Sequence, residues 1–93
     1  MENNSLWPYD VGVDLAGTGE NLRKLRLNAG MSVRDLQNIM GFENPTSIYR
    51  WENGTSLPTI DNMVVLAGIY NVQLDSIVAR RRNINPSYST ERY

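Results

Sequence analysis

Residues 41–54 read Gly-Phe-Glu-Asn-Pro-Thr-Ser-Ile-Tyr-Arg-Trp-Glu-Asn-Gly and constrain the fold more than any other stretch of the chain. Asn44 is a good N-cap residue. Pro45 suits the first helical position, where its missing N–H would have had no partner in any case. Gly54 is a natural helix stop. The stretch therefore predicts a tight turn followed by a helix of about two and a half turns. Ile48 and Trp51 fall on one side of that helix. Thr46, Ser47, Tyr49 and Arg50 are left on the outer arc, with Pro45 at the tip.

The flanks supply further helices. Residues 20–29 form a first candidate, with Thr18 as N-cap, Gly30 as stop, and Leu22, Leu25 and Ala29 in one apolar stripe. Residues 33–40 form a second, capped by Ser32, with Asp35 in the capping-box position and Gly41 at its end. Leu36, Ile39 and Met40 are its expected inward residues. Past a loop over residues 55–58, Thr59 caps a fourth helix whose stripe is Ile60, Met63, Leu66 or Ala67, and Tyr70. Asn71 and Val72 form a turn. Leu74, Ile77 and Val78 mark a short fifth helix, for which Gln73 is a poor cap.

The ends differ from the middle. Residues 9–15 alternate apolar with polar or glycine, the two-residue period of a half-buried strand. A lone strand is unstable, so it has to dock on the core or pair with a second chain. Residues 83–93 are polar with one proline and are expected to be disordered. The expected organisation is an extended N-terminal arm over residues 1–17, a helical domain over 18–79, and a basic then polar tail over 80–93.

Composition narrows the function classes. Ninety-three residues allow one small domain. There is no cysteine and no histidine, which removes thiolate metal sites, the commonest metal ligand and the commonest general base. The expectation is no metal, no cofactor and no catalytic residue. No apolar run approaches the ~20 residues of a membrane span, and the N-terminus lacks the basic-then-apolar order of a signal peptide, so a cytoplasmic protein is expected. The net charge is −1, unevenly spread: residues 1–17 carry −3, residues 18–82 carry +2 and residues 83–93 carry zero. The mildly basic middle gives weak support for nucleic-acid binding.

Two helices joined by a glycine-containing turn, with a helix before and two after, make a helix-turn-helix arrangement. On Leu22, Leu25, Arg26, Ser32, Leu36, Gly41, Ile48, Glu52, Asn53, Gly54, Pro58, Leu66, Ala67, Val72, Leu74 and Ile77, the chain resembles the phage lambda repressor and Cro-like (XRE) family. The resemblance covers residues 18–78. It implies an all-α, five-helix lambda-repressor-like DNA-binding domain, with the extended N-terminal segment added. It also implies a structural ion pair between Arg26 on the first helix and Glu52 at the end of the third. A planar guanidinium can hold a carboxylate through two parallel hydrogen bonds.

By the family's pattern, base-edge contacts come from Pro45, Thr46 and Arg50, and the residues add Tyr49, which suits stacking on sugar or bonding a phosphate. Arg50 is the foremost candidate, because arginine reaches O6 and N7 of guanine together. Phosphate contacts are expected from Ser32, Val33 and Arg34 at the start of the second helix, where free amides and the positive end of a helix dipole lie. Asn44, Ser47 and Asn53 complete that set. The chain departs from the family in three places. Val33 stands where glutamine is common, Gln37 stands where alanine or glycine is usual, and the turn from Gly41 to Pro45 is one residue longer. A hydrogen bond from the Gln37 side-chain amide to backbone groups of the turn would connect the last two.

The sequence thus predicts sequence-specific double-stranded DNA binding by a small transcriptional regulator, with residues 45–53 in the major groove and a homodimer at least on DNA. The alternative is an antitoxin-like or adaptor module that uses the same fold to bind a protein, with the N-terminal arm as a possible contact. Arg80, Arg81 and Arg82 read as a solvated basic run or as non-specific phosphate contacts.

Overall fold

The computed structural model describes residues 9–84. In chain order the elements are β1 (Tyr9–Val13), α1 (Leu15–Asn28), α2 (Val33–Met40), α3 (Thr46–Glu52), α4 (Ile60–Tyr70), a single 3-10 turn (Leu74–Ser76) and β2 (Arg80–Ile84). The fold is mostly helical and lambda-repressor-like, but two expectations need correction. The fifth helix is only a 3-10 turn. Its start at Gln73 has no side-chain cap bond, which fits the weak capping residue. The chain is also not all-α, because β1 and β2 pair antiparallel, with Tyr9 opposite Ile84 and Val13 opposite Arg80.

The core is Leu22 from α1, Leu36 from α2, Ile48 and Trp51 from α3, Met63 and Leu66 from α4, and Ile77 after the 3-10 turn. Each helix gives one or two side chains at three- or four-residue spacing, so the stripes converge on one centre. Three stripe assignments fail at their edges. Ile39 and Ile60, both expected inside, are 55% and 69% exposed, and Ala29 is exposed as well. In a core this small each helix buries a narrow seam, and the next residue along the stripe reaches solvent.

The first helix starts earlier than its sequence suggests. Asp14, not Thr18, is the N-cap, its carboxylate accepting from the Gly17 amide at 3.0 Å. Gly17 and Gly19 lower the helical propensity of this turn, but Gly19 is needed for packing. A Cβ there would lie 2.5 Å from the Trp51 carbonyl oxygen and 2.7 Å from that of Glu52. The backbone of α1 therefore sits directly on the C-terminal end of α3. Thr18 takes a different role, fully buried with its hydroxyl accepting from the Ala79 amide at 2.9 Å. Asp14 N–H donates to the Ala79 carbonyl at 2.9 Å, and Asn21 Nδ2 donates to the Ile77 carbonyl at 3.0 Å. These three bonds tie the end of the domain to α1 and bring the chain into register for β2.

The strand expected at residues 9–15 is β1. Its partner is the same chain, through residues 80–84, which were expected to belong to a tail. Nothing local marks β2, because its pairing spans some seventy residues and is set by the clamp at Asp14 and Ala79. Residues 1–8 and 85–93, and the expectations made for them, lie outside the described residues.

Candidate nucleic-acid interface

The start of α2 is built as its sequence predicts. Ser32 Oγ accepts from the Asp35 amide at 3.0 Å, and Asp35 Oδ2 accepts from the Ser32 amide at 2.9 Å, a complete capping box. The two Ser32 bonds, backbone first, hold the Asp35 carboxyl below its usual range. This geometry corrects one detail. The Ser32 amide and hydroxyl are engaged with Asp35, so the free amides of the first turn belong to Val33 and Arg34. Gly41 ends α2 in the left-handed region at φ 73°, a conformation that a side chain would disfavour.

The longer turn is held from both sides. Gln37 Nε2 donates to the Phe42 carbonyl at 3.3 Å, so the amide at a position usually held by a small residue does bond the turn. The Phe42 ring meets Trp51 edge-on, with centroids 5.8 Å apart and planes at 70°. Asn44 then caps α3 one residue earlier than a standard N-cap would. Its Oδ1 accepts from the Thr46 amide at 3.1 Å, and Pro45 stands at the cap position instead of the first helical one. The function of the cap is unchanged, since an orphan amide of the first turn is satisfied.

The third helix is fixed at its far end. Arg26 Nε donates to Glu52 Oε2 at 2.7 Å and Arg26 Nη2 donates to Glu52 Oε1 at 2.9 Å. Arg26 Nη1 donates to the Met31 carbonyl at 2.9 Å, so one guanidinium joins α1, the α1–α2 turn and α3. Both charged side chains are 9% exposed. The bond to Glu52 outweighs burial and raises the Arg26 pKa above its ordinary value. Nearby, the Tyr70 hydroxyl is buried with no hydrogen-bond partner among the described residues. Burial, reinforced by the Glu52 carboxylate, pushes its pKa up to about 12.

With Ile48 and Trp51 buried, the opposite arc of α3 is open. Thr46, Ser47, Tyr49 and Arg50 are all exposed, and Pro45 is half-buried. A concavity of about 380 Å³ lies between this arc and α2. Its walls are Val33, Arg34 and Gln37 from α2, Glu43 and Asn44 from the turn, and Pro45 and Tyr49 on the α3 side. The structure thus gathers Val33, Arg34, Asn44, Pro45 and Tyr49 around one cleft, while Ser32, Thr46, Ser47, Arg50 and Asn53 stand outside its lining. Asn53 is already engaged, its Oδ1 accepting from the amide and hydroxyl of Thr55. Sequence reading missed Glu43. The signal was the extra turn residue, which places a carboxylate on the rim.

A helix-turn-helix family model matches residues 22–77, which include both helices of the motif, the turn and the Arg26–Glu52 pair. The chain belongs to the helix-turn-helix family of the XRE/Cro/C1 type. This is a family of DNA-binding transcriptional regulators and not of enzymes. Among solved structures, the chain is similar to the restriction-modification controller protein C.AhdI from Aeromonas hydrophila. The identity is 25% and the TM-score 0.62, over 69% of this chain and 96% of that one. It is also similar in fold to the DNA-binding domain of BldD, at 19% identity and TM-score 0.62, over 71% of this chain and 94% of that one. The S. venezulae BldD DNA-binding domain gives the same identity and TM-score, with 97% of that chain covered. No curated protein sequence matches the chain. Among the described residues, no helix is long and apolar enough to cross a membrane, and no group of acidic residues is placed to hold a metal ion.

Proposed function

We propose that this helix-turn-helix protein binds double-stranded DNA sequence-specifically as a small transcriptional regulator, with residues 45–53 entering the major groove. The observation that carries this reading is the asymmetry of α3. Its inner side is pinned by Ile48, Trp51 and a two-bond ion pair, while its outer arc is a contiguous exposed set of Thr46, Ser47, Tyr49 and Arg50. A rigid helix with polar, hydrogen-bonding groups facing outward is what base readout needs, because loosely held side chains blur the discrimination between bases. Arg50 has no ion-pair partner among the described residues and is assigned to a guanine edge. Thr46 and Pro45 contact neighbouring bases, and Tyr49 contacts base or sugar. Arg34 and the free amides of Val33 and Arg34 at the α2 start, with Ser32, Asn44, Ser47 and Asn53, set the docking on the backbone.

The active form is a homodimer. One α3 reads only a few base pairs, and two-fold symmetry doubles the contacts. The exposed face of α4 supports a second copy as its occupant. Ile60, Val64 and Val65 are about half exposed or more, and Asp61, in the first turn, is the one charged residue of α4. A helix with so much exposed apolar surface is normally buried, and a face whose single charge lies in its first turn can meet its own copy across a two-fold axis with little like-charge repulsion.

The same face favours a second reading, an antitoxin-like or adaptor module whose partner is another protein. Selection from a random duplex pool separates the two. A regulator enriches a palindromic site, bound far more tightly than random duplex and increasingly weakly as salt rises. An interaction module enriches nothing.

A further inference from the structure

The cleft between α2 and α3 does not have the lining of a phosphate site. Arg34 and Glu43 place one positive and one negative charge on its rim, so the pair supplies no net field to hold an anion. Val33, at the first position of α2, has no hydrogen-bonding group in its side chain. It is only partly buried and packs from one side against the core, so an apolar wall is left open toward the cleft. Pro45 and Tyr49, itself 54% exposed, line the other side, and Gln37 and Asn44 add polar groups to the walls.

We propose that this cleft receives the 5-methyl group of a thymine, and that Val33 is the specificity-determining residue that selects it. The proposal rests on the reading of α3 as the groove helix. In the major groove every base edge presents nitrogen and oxygen atoms, and the thymine methyl is the one apolar group among them. Within the cleft lining Val33, Pro45 and Tyr49 form the apolar part, beside the tip of the reading helix, and this part gains nothing from a polar base edge. It gains from a methyl group. A deoxyribose face is the other carbon-rich surface DNA offers, and a contact there would carry no sequence information.

The test uses the full chain and the duplex enriched by selection. Each thymine is replaced in turn by deoxyuridine, which removes the methyl group and leaves the hydrogen-bonding edge intact. The expected result is one thymine per half-site whose replacement weakens binding about fourfold, the factor for burying one methyl-sized group. Val33→Ser then flattens the penalty at that position and leaves the rest of the scan unchanged. Val33→Ala, a better helix former, takes its place if the serine variant does not fold. A scan with no sensitive thymine overturns the proposal, as does a penalty that both Val33 variants leave intact; in either case α3 still reads the site. If no duplex is enriched, the groove-helix reading and the cleft assignment fail together.

Discussion

Arg26 and Glu52 face each other through two parallel hydrogen bonds of 2.7 and 2.9 Å, with both side chains all but removed from water. The pair joins the scaffold helix α1 to the last residue of α3 and sets the angle at which α3 is presented. Removing one partner strands the other charge. Arg26→Met is predicted to cost about 3 kcal/mol or more, because the Glu52 carboxylate is left buried without its donors. The double variant Arg26→Met/Glu52→Leu should recover much of that loss, since two apolar side chains leave no charge unpaired. Urea unfolding of the three proteins checks this. A double variant no more stable than Arg26→Met alone would show that the pair matters for reasons other than burial.

Gly19 is the point of closest backbone approach between α1 and α3. Gly19→Ala would gain helical propensity on an isolated helix, about 1 kcal/mol. Here the new methyl meets the carbonyl oxygens of Trp51 and Glu52 inside 3 Å, and neither is the end of a flexible side chain. The expected outcome is net destabilisation by about 1–3 kcal/mol, seen as a lower Tm. A raised Tm would mean that α1 can slide off α3 at little cost.

Tyr70 makes stability depend on alkaline pH. Its hydroxyl has a pKa near 12 in the fold, against about 10 in an unfolded chain. The unfolded state therefore loses its proton first, and the contribution present below pH ~10 is lost as pH rises toward 12. Tyr70→Phe removes this dependence and, because the buried hydroxyl has no partner among the described residues, should leave neutral-pH stability unchanged or slightly raised. Thermal melts of both proteins at pH 7, 10 and 11 test it. Parallel declines in the two would trace the alkaline loss to other groups.

The exposed stripe of α4 carries the dimer prediction. Val64→Glu places a charge in the middle of a face with no counter-charge from Asn62 to Leu74. The variant should keep its fold, since Val64 is 57% exposed, and sediment as a monomer where the native chain is a dimer. Identical sedimentation of the two would move the interface elsewhere.

The capping box of α2, the position of α3 and its inner side were legible because those signals are local or periodic, whereas Asn44 and Pro45 sit one place off their expected cap positions and the Arg26–Glu52 pair, 26 residues apart, came from the family resemblance. Ser32 and Asp35 lie three residues apart, Gly41 and Gly54 mark stops, and Ile48 with Trp51 defines the inner side. The start of α1 was misread because Gly17 and Gly19 look like helix breakers until Asp14 caps the one and α3 packs against the other. The pairing of β1 with residues 80–84 was not legible, because it depends on hydrogen bonds that link the Asp14 amide and the Thr18 hydroxyl to Ala79, which no short window contains. At the interface, the outer arc of α3 followed from periodicity. The cleft did not, since it exists only once the longer turn has set Glu43 and Asn44 beside Val33.

The central claim is that the outer arc of α3 reads base sequence, and Arg50 tests it most directly. The measurement is the affinity of the native chain and of Arg50→Ala for the selected site and for duplexes changed at one base pair at a time, all at one salt concentration. The account predicts that Arg50→Ala binds the selected site roughly ten- to a hundredfold more weakly and loses its preference at one guanine position per half-site, with the other positions still discriminated. Uniform weakening on every duplex, with all preferences intact, would make Arg50 a phosphate contact and contradict the claim.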